Sequence, residues 1–217
     1  MSKTILITGA GTGIGKDTAL ALAARGHRVL ATTQTDAQAL ALQAVATAQN
    51  LHLETFKLDI TSEADRELLT QYPIDVLINN AGTNRPKPLW DVTEADYDAV
   101  LDLNLKSAFF VAQACAKRLI ETGTPGSLIH MGSQMGHVGY PGRMLYCTAK
   151  HAIEGMAKAL GVEWAPHGIT VNAVLPGGAA TPGAIHAKGP APEGPGHPGH
   201  RDHAGLPGAD DCEVRQR

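Results

Sequence analysis

Tyr146 and Lys150 stand four residues apart in the run Leu145-Tyr146-Cys147-Thr148-Ala149-Lys150. On a helix that spacing puts both side chains on one face. The ammonium can then stand beside the phenol. At about 4 Å and an effective dielectric of about 20, the charge favours the phenolate by ~4 kcal/mol. A phenol helped in this way exchanges a proton with a substrate oxygen near neutral pH, which is general acid/base chemistry. A Tyr and a Lys at this spacing also occur on ordinary surface helices, so the pair needs company before it means catalysis.

A second set of residues points to a phosphate ligand. Thr8-Gly9-Ala10-Gly11-Thr12-Gly13-Ile14-Gly15 follows a β-prone run at 3–8 and opens a helical run at 14–24. Glycines there let the backbone approach a pyrophosphate, and the helix N-terminus offers N–H groups and a positive dipole end. The spacing is G-x-x-x-G-x-G rather than G-x-G-x-x-G, and a glycine loop alone can be no more than a tight turn.

The elements that position these residues alternate along the chain. Strand-like runs at 3–8, 28–33, 52–58, 74–79, 127–131 and 169–175 are separated by helical runs. The helices are expected at 14–24, at 36–48 with Asp36 as the cap, from Thr61 and Ser62 onward, at 93–121 and at 144–164. Repeated βα units predict an α/β fold: a doubly wound parallel sheet of the Rossmann type, with six recognisable strands.

Taken together, these pieces resemble the short-chain dehydrogenase/reductase family from Met1 to about Pro182. The resemblance rests on Thr8–Gly15, Asp59 ending strand three and Asn79-Asn80-Ala81-Gly82 ending strand four. It continues through Asn104 in the long helix, Ser133 after strand five, Tyr146 and Lys150, and Pro176-Gly177 with Thr181 after strand six.

The resemblance implies an oxidoreductase that moves a hydride between a nicotinamide cofactor and a carbonyl or alcohol substrate. Tyr146 would be the acid/base, Lys150 would support it and meet the nicotinamide ribose, and Ser133 would hold the substrate oxygen. Asn104 would position a water linking Lys150 to solvent. The cofactor would lie against Thr8, Gly9, Gly11, Thr12, Gly13, Ile14 and Gly15, then Thr33, Asp59, Ile60, Asn80, Ala81 and Gly82, with Pro176, Gly177 and Thr181 near the nicotinamide end. Gln134, Met135, His137, Val138 and Tyr140 would face the substrate. A homodimer through the long helices is expected, and a tetramer is not.

Cofactor choice rests on the end of strand two, Ala31-Thr32-Thr33-Gln34, where no acid stands before Asp36. Thr33 could bond a 2′-phosphate and Lys16 could offset its charge, so NADP is expected ahead of NAD.

Composition excludes other classes. The 217 residues carry a net charge of −3, which argues against nucleic acid as a partner. No run approaches the ~18 apolar residues of a membrane span, and residues 1–11 lack a cleavable apolar leader. Cys115, Cys147 and Cys212 are too scattered for a disulfide framework or a CxxC site, which fits the cytoplasm.

The composition shifts at Pro182. Residues 182–217 hold 13 Gly or Pro among 36, with only Ile185, Leu206 and Val214 as large aliphatics. Such a segment buries too little apolar surface to offset its ordering entropy. The chain therefore reads as a catalytic domain at 1–181 followed by an unfolded tail, a truncated or frame-altered C-terminus without the family's usual seventh strand. His197, His200 and His203 in that tail are not expected to hold a metal. A pocket lacking one wall leaves a second reading, a nucleotide-binding protein impaired in catalysis.

Overall fold

The structure is a computed structural model and describes residues 1–177. The expectations for Thr181, for the 182–217 segment with its histidines, and for Cys212 lie outside the described residues.

Among the described residues, six strands form one sheet: β1 (Thr4–Ile7), β2 (Arg28–Thr33), β3 (Glu54–Lys57), β4 (Val76–Asn79), β5 (Gly126–Met131) and β6 (Ile169–Val174). Their order is β3-β2-β1-β4-β5-β6, and every pairing is parallel. Parallel neighbours require crossovers, and helices α1 (Gly13–Ala24), α2 (Asp36–Ala48), α3 (Glu63–Glu67), α4 (Glu94–Leu101), α5 (Ser107–Glu121) and α6 (Met144–Trp164) lie in those connections.

Both faces of the sheet are covered, so the central strands are apolar without a polar side. Leu6, Leu30, Leu77 and Leu128 pack with Val111, Cys115, Leu119, Leu160 and Trp164 on one face. Ile5, Ile7, Val29 and Ala31 pack with Ala19, Leu42 and Ala46 on the other. The alternation of side chains along each strand divides the core in this way.

The winding places the site. The chain runs outward from β1 through β2 to β3, then returns to the other side of β1 for β4, β5 and β6. The strand order reverses between β1 and β4, and a crevice opens beyond the carboxyl ends of strands at such a point.

Three expectations are corrected. The cap of α2 is Thr35, whose side chain accepts from the Gln38 N–H, while Asp36 sits in the first turn. The run at 93–121 is not one regular helix: a π-turn, Asp102–Lys106, separates α4 from α5. The stretch from Glu94 to Glu121 is also long and apolar enough to cross a membrane by length and composition, with a mean hydropathy of 1.2 over its most apolar window. Its apolar residues Val111, Ala112, Cys115, Ala116 and Leu119 instead belong to the core against the sheet.

Candidate active site

The glycine loop is tied to the end of β4 by a polar knot. The Thr8 hydroxyl, fully buried, accepts from the N–H of Asn80 at 3.0 Å and of Ala81 at 3.1 Å. The Asn80 side-chain amide donates to the carbonyls of Thr8 and Gly9 at 3.0 and 3.1 Å. Asn79 lies behind them and donates to the Ala108 carbonyl on α5 at 2.7 Å. Thr8 and Asn79 are therefore struts, set back from the cleft they shape.

Two glycines make the close approach possible. Gly9 has φ +68°, and a Cβ there would stand 2.7 Å from Ala81 Cα. A Cβ on Gly15 would stand 2.5 Å from both the Asn80 amide and the Gly9 carbonyl. Thr12 begins α1 without a side-chain cap bond, and the first turn holds no acid. The first N–H groups of α1 are thus left for an external acceptor, as phosphate binding requires.

The result is a cleft of about 450 Å³ lined by Gly9, Gly11, Thr12, Gly13, Ile14, Gly15, Gln34, Gln38, Leu58, Asp59, Ile60, Asn80, Ala81, Gly82, Leu103 and Tyr146. Sequence reading picked out most of these residues. It missed Gln38, Leu58 and Leu103, which reach the cleft only through the packing of α2, β3 and the π-turn, and it chose Thr33 where the neighbouring Gln34 is the residue in the lining. Gln38 stands against Gly11, with its Cδ 3.2 Å from where a Gly11 Cβ would be. Asp59 holds its own turn by accepting from the Thr61 N–H and hydroxyl at 3.0 and 2.7 Å.

Thr33 lies outside this lining. It is buried, and its hydroxyl donates to the Thr35 carbonyl at 2.9 Å. Lys16 is also absent from the lining, whose ionisable side chains are Asp59 and Tyr146.

Tyr146 and Lys150 share the first turns of α6 as their spacing requires. The Lys150 ammonium is 5.5 Å from the centre of the Tyr146 ring. Its hydrogen bond goes to the Met131 carbonyl at the end of β5, at 2.6 Å. Lys150 is buried, and loss of hydration pulls its pKa down to about 8. His130, the residue before Met131, is fully buried; burial first and the Lys150 charge second push its pKa down to about 4.

Asn104 sits in the π-turn, the kind of helix defect that often marks a functional position. Its side chain accepts from the Thr83 N–H at 2.7 Å and donates to the Thr83 carbonyl at 2.8 Å. Gly82 joins the two halves of the site. A Cβ there would lie 3.0 Å from Asn104 Oδ1 and 3.8 Å from Lys150 Nζ, while Gly82 itself lines the cleft.

Ser133 caps a short 3-10 turn, Gln134–Gly136, and its hydroxyl accepts from the Met135 N–H at 3.2 Å. Pro176 and Gly177 pack on this turn: the Gln134 N–H donates to the Pro176 carbonyl at 3.2 Å, and Gln134 Oε1 faces Gly177. Val138 and Tyr140 are exposed beyond it, with the Arg143 guanidinium 5.7 Å from the Tyr140 ring centre. His137 turns toward α6 and pairs with Glu154, a residue that sequence reading did not single out.

This fold, with a glycine-lined cleft at its reversal point and a Tyr and Lys at the cleft's edge, defines a nicotinamide-dependent oxidoreductase. The short chain dehydrogenase family profile matches residues 3–188. Carbonyl reductase [NADPH] 2 of Sus scrofa is 37% identical over 173 residues, covering 79% of this chain and 69% of the relative. L-xylulose reductase of Homo sapiens is 34% identical, covering 80% of this chain and 70% of the relative. A solved structure from Beutenbergia cavernae, described as a “putative NAD(P) dependent gluconate 5-dehydrogenase” with NADP bound at low occupancy, superposes with a TM-score of 0.80. It is 30% identical and covers 86% of this chain and 77% of that one. The chain belongs to the short-chain dehydrogenase family, and it is an NAD(P)-dependent oxidoreductase of small molecules.

Proposed function

We propose that the protein reduces a small carbonyl compound, or oxidises the matching alcohol, with Tyr146 as the acid/base. The observation that carries this reading is the meeting at Gly82 of the cleft, Asn104 and the Lys150 ammonium. The relatives' names, carbonyl reductase and L-xylulose reductase, support the substrate class.

The cradle fits a dinucleotide, because the cleft floor is the glycine-rich backbone of Gly9–Gly15 and the start of α1 carries no side-chain cap, leaving N–H groups for a pyrophosphate. Gly9, Gly11, Thr12, Gly13, Ile14 and Gly15 would hold the phosphates, Asp59 and Ile60 the adenine, and Asn80, Ala81 and Gly82 the middle of the cofactor. The bound nicotinamide supplies or accepts the hydride. Tyr146 gives its phenolic proton to the substrate oxygen in reduction and takes it back in oxidation. The Lys150 charge stabilises the phenolate left behind. Ser133 donates its hydroxyl hydrogen to the same oxygen. Asn104 Oδ1 keeps a second lone pair on the Lys150 side of Gly82, which suits it to hold the water that refills Tyr146. Gln134 and Tyr140 flank the substrate.

For cofactor choice, Gln34 and Gln38 would read the adenosine ribose through neutral amides. That leaves room for a 2′-phosphate and excludes neither cofactor, with NADP ahead of NAD for want of an acid. An exposed apolar face formed by Tyr97, Phe109, Phe110 and Ile120 supports a homodimer through α4, α5 and α6. Buried free thiols at Cys115 and Cys147 fit a reducing cytoplasm. A panel of small ketones and alcohols, followed by nicotinamide absorbance with both cofactors, tests the assignment.

A further inference from the structure

The two groups proposed to meet the substrate oxygen, and the lysine that supports one of them, come from two separate elements. Tyr146 and Lys150 ride on α6, whereas Ser133 rides on the 3-10 turn after β5. Something must hold the turn against the helix, because a displacement of about 1 Å between reacting groups can cost a factor of about 100 in rate.

Glu154 is placed to do this. It continues the stripe of Tyr146 and Lys150 on α6, one further turn along. It is a carboxylate in the interior, with its side chain only 8% exposed. Its Oε2 lies 3.2 Å from His137 Nδ1, and Oε1 has no hydrogen-bond partner among the described residues. A buried carboxylate is costly unless it is paired. Here the pairing partner comes from the residue that ends the Ser133 turn.

The turn lies directly on the helix. A Cβ on Gly136 would collide with the Glu154 carboxylate and stand 3.1 Å from the Lys150 carbonyl. Only glycine lets the backbone come this close. The turn's own bonds then run from Gly136 N–H to the Ser133 carbonyl and from His137 N–H to the Gln134 carbonyl, at 2.8 and 3.0 Å. A pull on His137 is therefore transmitted back to Ser133 through one short, closed loop.

We propose that Glu154 and His137 form a latch that fixes the Ser133 turn on α6 and so sets Ser133 relative to Tyr146. Glu154 is a positioning residue in this account, which rests on the reading of Ser133, Tyr146 and Lys150 given above. The exposed His137 ring sets its Nδ1 against the buried carboxylate, at ion-pair distance from Oε2.

The test compares Glu154→Ala, Glu154→Gln and His137→Leu with the parent protein and with Tyr146→Phe. Glu154→Ala and His137→Leu are expected to lower kcat about 10-fold or more, with the dissociation constant of NADPH, read by its fluorescence, within about 2-fold of the parent. Glu154→Gln keeps the side-chain length and an oxygen able to face Nδ1, and should recover most of the lost kcat. Independently of activity, hydrogen exchange at residues 135–138 should speed up about 10-fold in Glu154→Ala, while β5 amides keep their protection. Parental kcat and parental exchange at 135–138 in Glu154→Ala would overturn the latch. So would a loss of kcat matched by an equal loss of NADPH affinity and of β5 protection, since that is general destabilisation. Failure of the site reading looks different: Tyr146→Phe would then turn over at the parental rate.

Discussion

Lys150 Nζ donates to the Met131 main-chain carbonyl at 2.6 Å, joining α6 to the carboxyl end of β5. The bond uses one of the ammonium's three hydrogens and leaves others for a partner on the cleft side. It also holds the charge in a buried place, where its pKa falls to about 8. Activity that needs the ammonium should therefore decline as pH rises through about 8. Stability should move the other way. The unfolded chain binds this proton more tightly, so charged Lys150 penalises the fold below that pH and the penalty lifts toward the ordinary value of 10.5. A pH profile of turnover, set beside thermal melts at the same pH values, checks both signs. Lys150→Arg should remove the alkaline decline while lowering the rate, because a guanidinium does not fit the ammonium's site.

Thr8 is the strut whose loss should be felt twice. Thr8→Val keeps the shape but leaves the Asn80 and Ala81 N–H groups without their acceptor. An unsatisfied buried donor costs about 1–3 kcal/mol. The melting temperature should fall accordingly. Cofactor affinity should fall as well, since those two residues line the cleft. Calorimetry and a cofactor titration on the same preparation measure the two effects.

Cofactor selectivity should respond at Gln34 rather than at Thr33. Gln34 lines the cleft, whereas the Thr33 hydroxyl already serves the Thr35 carbonyl. Gln34→Arg should favour NADP through a bidentate contact with the 2′-phosphate, and Gln34→Asp should favour NAD by repelling it. Dissociation constants for both cofactors, at one stated ionic strength, give the comparison.

Asp96 anchors the connection between β4 and α4. Its carboxylate receives Lys87 at 2.6 Å and Arg85 at 3.1 Å and completes a capping box with Thr93. The Lys87 N–H in turn donates to the Gly142 carbonyl at 2.9 Å, just before α6. The Lys87 bond first, then those from Thr93 and Arg85, hold the Asp96 carboxyl well below the usual carboxylate range. A lowered pKa gives stability that is present above the ordinary value of 3.8 and lost as pH falls below it. Asp96→Asn should therefore melt lower at neutral pH and lose part of the parent's acid dependence.

Much of this was legible in the sequence because the relevant signals are local. The six strands show as apolar or β-prone runs, and the glycine loop shows as a spacing between a strand and a helix. Asn104 and Gly82 were legible as members of a resemblance, but not their contact. The break at Asp102–Lys106 was hidden, since Asp-Leu-Asn-Leu-Lys contains neither Pro nor Gly to announce it. Gln38 was hidden because its place in the cleft depends on how α2 packs on β2 and β3. The partner of Lys150 was hidden for a simpler reason: a main-chain carbonyl has no letter in the sequence. Nothing in the letters around Glu154 marks it, because its role depends on the Gly136 turn lying on α6.

The central claim is that Tyr146 moves the proton. Tyr146→Phe removes the hydroxyl and leaves the ring, so the packing of α6 and the cleft should persist. Turnover of any active carbonyl substrate, followed by nicotinamide absorbance, should fall ~100-fold or more, with cofactor affinity nearly unchanged. A Phe variant that reduces the substrate at the parental rate contradicts the account.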